Sequence, residues 1–376
     1  MSDCPDSKKD ACALVVPSLV AGGLERVASE LANYLCERKG LDVYIISLAN
    51  IEPFYELAEG VTFIKPGPKK KPAFSQAIRL ISYVRGSIRT IRPIFVLSFG
   101  SKFNSFTLLS TLGLKTRIFV SDRSNPYRNS TFNSSADPYV VHDGFVHILA
   151  KWLLYRRAAG IIAQTEKAKV IDSKFLNHAN IRVIPNPVKA LGSAADIPRQ
   201  NIILNVGRFT ELKNQAFLVN AFHEIGNYNW KLVLLGKGPC QAPVKDLVER
   251  LGISSNVEFI DETRDIGSVY RMAKIFAFTS LSEGFPNALA EALGAPVASI
   301  AFDCVCGPSE LIKHGEDGIL INVGDDDSYI KGLAALMNDE SLRARLEDQA
   351  VRKMRRFRPE VICEEYYKFL SGGEDE

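Results

Sequence analysis

Apolar residues along the chain gather in short unbroken runs separated by stretches of helical periodicity. Ala13–Pro17 (ALVVP), Val43–Leu48 (VYIISL), Ile94–Ser98, Arg117–Ser121 and Gly160–Gln164 read as buried strands of a first half. Asn201–Val206, Leu232–Gly236, Val257–Ile260, Ile275–Thr279 and Val297–Ile300 repeat the pattern in a second half. Such runs are apolar throughout, as expected of strands covered on both faces. Leu24–Cys36 (LERVASELANYLC) follows the Gly22–Gly23 pair with helical spacing, and Phe74–Arg92 is a second such stretch. Strands alternating with helices predict an α/β fold with parallel sheets. The two prolines of Ile184–Val188 (IPNPV) mark the crossing between halves, giving domains 1–187 and 188–358. The closing segment 359–376 is read as a helix, Pro359–Leu370, returning to the first domain, with a disordered GGEDE tail. The expectation is two doubly wound, Rossmann-like domains facing each other across a cleft, with ligands at the carboxyl ends of the strands.

Composition narrows the class. With 46% hydrophobic and 24% charged residues, the 376-residue chain is neither disordered, collagen-like nor coiled-coil. The start, Met1–Cys12, is polar and shows no signal peptide, and no apolar stretch reaches the ~18 residues of a membrane span. Seven cysteines, an odd number thinly spread, suit a reducing compartment. The reading is a cytoplasmic protein, peripherally associated with the inner face of the plasma membrane.

That membrane reading comes from charge. Residues 1–187 hold 25 Lys and Arg against 15 Asp and Glu, whereas the remainder holds 21 against 28. Between Glu59 and Asp122 there is no acid but eleven basic residues, Lys69–Lys71 among them. Such a field attracts anionic lipid headgroups, phosphorylated substrates or nucleic acid. Nucleic acid is set aside because no aromatic RNA-binding run, zinc-finger spacing or helix-turn-helix accompanies the charge. In 74–92, Ala77, Ile81, Val84, Ile88 and Ile91 form an apolar stripe edged by Arg85 and Arg89. It either packs on its own domain's sheet or lies in a membrane interface.

Candidate chemistry concentrates at predicted strand ends. In Ser280–Glu291 (SLSEGFPNALAE), Glu283 precedes a Gly-Pro turn and Glu291 lies one turn into the next helix. A carboxylate only accepts hydrogen bonds and so pairs with sugar and ribose hydroxyls; the alternatives are an exposed loop acid and a solvated helix residue. In Asn205–Lys213 (NVGRFTELK), Arg208 and Lys213 follow a strand and can neutralise a diphosphate leaving group. The alternative is surface cations, although a cation at a helix start is unfavourable without an anion. Gly236 closes another strand near the cleft, and Gly22 and Gly23 can bring backbone amides close to a phosphate. Asp325–Asp327 reads as a solvated turn, and Cys304-x-Cys306 lacks the partners of a zinc site, so no metal is assigned.

Together these segments, with SDRSNPYRNS, LYRRAAGIIAQTE and DCVCGPSELIKHGEDGIL, resemble the retaining family-4 glycosyltransferases of the GT-B fold, especially bacterial enzymes extending lipid-linked oligosaccharides, O-antigens or capsules. The resemblance covers nearly the whole chain. It implies that Arg208 and Lys213 hold the donor diphosphate, Glu283 the donor sugar and Glu291 the ribose. Backbone of Gly284, Phe285, Pro286 and Asn287 would surround sugar and phosphates, and Gly22 and Gly23 would approach from the first domain. It implies transfer with retention by front-face attack, without cofactor or metal, from a nucleotide sugar, UDP ahead of GDP. The transferred group is a hexose or N-acetylhexosamine, and the acceptor a lipid-linked or polysaccharide saccharide at an anionic membrane surface.

Two departures stand out. Where many relatives carry a histidine after the strand at Arg117–Ser121, this chain has Asp122 and Arg123; either these two orient the acceptor or another residue serves. His142 and His147 are read as structural. After Glu291, Gly294 and Pro296 stand two residues earlier than the family's usual Gly-x-Pro. The rival readings are a GT-B-fold sugar-nucleotide epimerase and a catalytically degenerate partner that binds nucleotide sugar or membrane.

Overall fold

The computed structural model describes residues 9–20, 22–67, 73–126, 143–189, 198–263 and 265–373, with backbone only for 73–76. The Lys69–Lys71 run, the last four residues of SDRSNPYRNS, His142 and the acidic end of the tail lie outside the described residues. The chain divides into two compact units, one running to Pro187 and resuming at Pro359, the other Val188–Arg358.

The first unit begins with β1 (Ala11–Val16), α1 (Gly23–Lys39), β2 (Asp42–Ser47), β3 (Val61–Ile64), α2 (Ala73–Ile91) and β4 (Phe95–Phe99). It continues with α3 (Ser101–Ser110), β5 (Arg117–Ser121), α4 (Phe145–Leu154), β6 (Gly160–Ala163), α5 (Glu166–Leu176) and β7 (Ile181–Val183). The seven strands form one parallel sheet in the order β3-β2-β1-β4-β5-β6-β7. The central strands are buried on both sides, as their unbroken apolar runs require.

One sheet face is covered by α1, through Leu31 and Leu35, and by the chain's last helix, through Ile362, Tyr366 and Leu370. Tyr34 Oη and Lys39 Nζ both reach the Glu364 carboxylate at 2.6 Å. The other face is covered by α2, α3 and α4, with Val84, Ile88, Leu108, Ile148 and Tyr155 in a common core. The basic-edged stripe of α2 therefore packs inward at Val84 and Ile88, whereas Ala77 is exposed. Arg85 donates to the carbonyls of Ser110 and Leu112 at 3.1 and 2.7 Å and pins the end of α3.

The second unit contains β8 (Ile202–Val206), α6 (Gln215–Ile225), β9 (Lys231–Leu235), α7 (Gln241–Arg250), β10 (Val257–Ile260), α8 (Ile266–Met272) and β11 (Ile275–Phe278). There follow α9 (Asn287–Leu293), β12 (Ala298–Asp303), α10 (Pro308–Leu311), β13 (Ile319–Asn322), α11 (Asp326–Asn338) and α12 (Glu340–Met354), before α13 (Pro359–Ser371). Its parallel sheet runs β10-β9-β8-β11-β12-β13 between two apolar cores. Exposed Asp325 caps α11 by accepting from Ser328 N at 3.2 Å.

Both sheets are doubly wound. In each, strand order reverses at one place, β1/β4 in the first unit and β8/β11 in the second. At such a reversal the crossovers leave in opposite directions and open a crevice beyond the carboxyl ends of the strands.

Candidate active site

The β8/β11 reversal brings two distant segments together. Beyond β8 the chain passes Gly207 and Arg208, anchors on buried Phe209, and makes a single 3-10 turn at Glu211–Lys213. This turn is tied to the residues beyond β11: Leu281 N donates to Leu212 O, and Thr279 Oγ1 to Lys213 O, both at 2.8 Å. Where the two strands diverge, Asn205 Nδ2 donates to Ala277 O at 2.8 Å.

So held, Lys213 Nζ is hydrogen-bonded to the Glu283 carboxylate across the crevice. The side chains keep 25% and 12% of their surface, enough for a ligand to reach them. Arg208 is exposed, and its guanidinium has no partner among the described residues. An uncompensated cation beside a closed ion pair is an arrangement an anion can enter, drawing Lys213 to itself and releasing Glu283 as a hydrogen-bond acceptor.

Two glycines bring the surrounding turns close. Gly236, at φ +143°, lies so near the β8 end that a Cβ would stand 2.1 Å from Gly207 O. Gly307, at φ +117°, would put a Cβ 2.2 Å from Pro286 Cδ, which seats the turn of Gly284, Phe285 and Pro286 against the segment after β12. Phe285 is itself buried in the core, fixing that turn, and Asn287 opens α9. Glu291 is 5% exposed rather than solvated; Tyr270 Oη donates to its Oε2 at 3.1 Å. Cys304 is buried nearby, and burial first, then the charge of Glu283, pushes its thiol well above the usual range. Gly294 ends α9 in helical conformation and Pro296 is exposed just before β12. Among the described residues no group of three or more His, Cys, Asp and Glu is placed to hold a metal ion.

In the first unit, Gly22 precedes α1 in extended conformation, but its amide donates to Tyr55 Oη at 3.1 Å, and Tyr55 Oη donates back to Gly22 O at 3.0 Å. Gly23 opens α1. Asp122 is buried after β5 and accepts from Tyr155 Oη at 2.5 Å and Asn104 Nδ2 at 2.8 Å. Lys151 Nζ lies 2.6 Å from Asp122 and 3.0 Å from Asp172, with the lysine wholly inaccessible. Arg123 is hydrogen-bonded to Asn186 and donates to Tyr366 Oη at 2.9 Å, over the ring of Phe99. Both residues are thus engaged inside their own unit. His147 Nε2 lies 3.0 Å from Ser101 Oγ and 3.7 Å from Asp143, its pKa lowered chiefly by burial.

Sequence reasoning missed Lys151, Asp172, Tyr155 and Asn104. The signal was present: Lys151 falls on the same helical face as Ile148 and Tyr155 in an otherwise apolar stretch, where a lysine needs buried partners.

Comparison with known proteins bears on the family and the fold. Residues 21–190 match the family model Glycosyltransferase Family 4, and residues 193–353 match Glycosyl transferases group 1. The chain is 26% identical over 361 residues to the amylovoran biosynthesis glycosyltransferase AmsD of Erwinia amylovora, covering 93% of this chain and 96% of that protein. It is 24% identical over 374 residues to a Campylobacter jejuni enzyme, covering 95% of this chain and 97% of that one. That relative is named GalNAc-alpha-(1->4)-GalNAc-alpha-(1->3)-diNAcBac-PP-undecaprenol alpha-1,4-N-acetyl-D-galactosaminyltransferase. Among solved structures, Anabaena HepE in complex with UDP and glucose superposes with a TM-score of 0.78 at 18% identity, covering 96% of this chain and 100% of that one. The apo lipopolysaccharide outer core galactosyltransferase WaaB gives 0.74 at 17% identity, covering 97% and 100%. Two Rossmann-like units, matched in order by the two family models over nearly their whole lengths, place this chain among the GT-B-fold glycosyltransferases.

Proposed function

We propose that the protein is a retaining glycosyltransferase that moves a hexose or N-acetylhexosamine from a UDP-sugar to a lipid-linked saccharide, working without a metal. The observation that carries this reading is the Lys213–Glu283 pair across the β8/β11 reversal, with exposed Arg208 on the same segment after β8. Arg208 and Lys213 meet the donor diphosphate, and Glu283, released from Lys213, accepts hydrogen bonds from the sugar hydroxyls. Glu291 with Tyr270 takes the ribose, and the turn of Gly284–Asn287 supplies backbone around sugar and phosphates.

In this reading the bond from the anomeric carbon to the phosphate oxygen breaks as the acceptor oxygen bonds to the same face of that carbon. The acceptor proton passes to the departing diphosphate, whose charge the two cations stabilise. Asp122 and Arg123 act by holding the end of β5. The choice of UDP and of a lipid-linked acceptor is supported by the nucleotide named for HepE and the undecaprenol named for the Campylobacter relative.

The test is nucleotide release from a panel of UDP- and GDP-sugars, in EDTA, with and without bacterial lipid extract. The reading expects release of UDP that requires lipid and is lost in Lys213→Ala, with NMR of the product showing the donor's anomeric configuration. Release independent of any acceptor would move the assignment to an epimerase or hydrolase. Donor binding with no turnover on any acceptor would favour a degenerate partner.

A further inference from the structure

The outward face of α4 is as apolar as its inward one. Ile148, Lys151 and Tyr155 face the sheet, while Phe145, Val146, Leu149 and Leu153 point away from it, on an arc of about 100° set by their helical spacing. Phe145 and Val146 are 74% and 80% exposed, among the most exposed large apolar side chains described. A helix apolar all round is ordinarily buried all round; here half of it is uncovered. The neighbouring α3 adds exposed Phe103.

Among the described residues, exposed charge around this face has one sign. No acidic residue lies between Asp143 and Glu166, and Asp143 is buried with its carboxylate 3.0 Å from Lys102 Nζ. Exposed Arg156 and Arg157 continue directly from the end of α4, Arg156 stacking on Trp152 at 3.9 Å. Apolar side chains bordered by cations fit the boundary between acyl chains and anionic headgroups, where buried area and charge attraction add. A protein partner would be expected to meet the arginines with acids, which this face lacks, so a second copy is disfavoured.

We infer that α4 docks the protein on an anionic lipid surface, Phe145, Val146, Leu149 and Leu153 entering the acyl boundary and Arg156 and Arg157 binding lipid phosphates. This places the membrane contact on α4 rather than on the stripe of α2, whose Val84 and Ile88 are used in the core. The inference rests on the lipid-linked-acceptor reading only for its purpose, and its test needs no turnover.

Flotation of the full chain with phosphatidylglycerol–cardiolipin vesicles, with phosphatidylcholine vesicles as control, tests it. Wild type floats with the anionic vesicles, and lipids brominated in the acyl chain quench Trp152. Leu149→Ser with Leu153→Ser lowers partition about tenfold or more, as does Arg156→Glu with Arg157→Glu, while UDP affinity by calorimetry is unchanged. Equal flotation on phosphatidylcholine, or wild-type flotation by both double variants, overturns the inference. So does a lipid-free dimer that the serine variant dissociates, which would show a second copy on this face. Loss of turnover with intact flotation would count against the catalytic reading alone.

Discussion

Lys151 offers the sharpest test of how the first unit is held. Its ammonium is wholly inaccessible, between Asp122 at 2.6 Å and Asp172 at 3.0 Å. Lys151→Met keeps the side-chain volume but leaves two buried carboxylates facing each other without a cation. Removing one partner of such a group costs about 3–5 kcal/mol. For a unit of this size that lowers its melting temperature by about 6–20 °C. The effect is also pH-dependent. Burial already pushes Asp172 up to about 6 against the opposing pull of Lys151. With the folded pKa above the unfolded value of 3.8, the stability this carboxyl contributes is present at low pH and is lost as pH rises through 6. Without Lys151 the folded pKa rises further, so the variant's deficit is small at pH 5 and large at pH 8. Thermal unfolding can be followed separately in the two units, because the chain's two tryptophans, Trp152 and Trp230, fall one in each. The Trp152 transition should drop and the Trp230 transition hold. Adding Asp122→Asn and Asp172→Asn to Lys151→Met should recover most of the loss at pH 8. An unchanged melt, or a deficit equal at pH 5 and pH 8, would refute the reasoning, since lost packing alone has no pH dependence.

Glu283→Ala should lower kcat/KM for transfer by about a hundredfold or more. UDP itself should bind as tightly as to wild type or more so, because Lys213 is released, and calorimetry with UDP reads this directly. Gly236→Ala forces a Cβ onto Gly207 O in a backbone conformation that only glycine adopts easily, so the Trp230 melt should fall by the equivalent of about 2 kcal/mol or more, with weakened UDP binding. Cys304, its thiol held protonated by burial, should resist Ellman's reagent in the native protein and react once unfolded; rapid native labelling would contradict its placement.

The fold was legible because central strands of a doubly wound sheet are apolar on both faces, and β1, β4, β5, β8, β9, β11 and β12 all show it. The strands sequence reading passed over were β3, β7 and β13, and each is a sheet edge. Edge strands are half-exposed and short: Ile181–Val183 is three residues with Arg182 outward, and Val61–Ile64 has Thr62 in solvent. At three or four residues and partly exposed they do not stand out as unbroken apolar runs, although their residue types favour strands.

The site was legible in kind and opaque in arrangement, for a physical reason that bears on how it works. Arg208, Lys213 and Glu283 were singled out by charge at predicted strand ends. That Lys213 and Glu283 pair follows only from topology: seventy residues separate them in sequence, and it is the reversal of strand order between β8 and β11 that sets their strand ends side by side. The pairing changes the chemistry assigned to both. Each charge is neutralised by the other, so neither is left uncompensated in a partly buried crevice, and Arg208 remains as the cation that first meets an anion. A ligand carrying both a diphosphate and hydroxyls can replace each half of the pair with a matched partner, whereas either group alone leaves one charge stranded. Discrimination for a nucleotide sugar over free sugar or a lone anion is thereby built into a single ion pair, which is the property the Glu283→Ala calorimetry would expose.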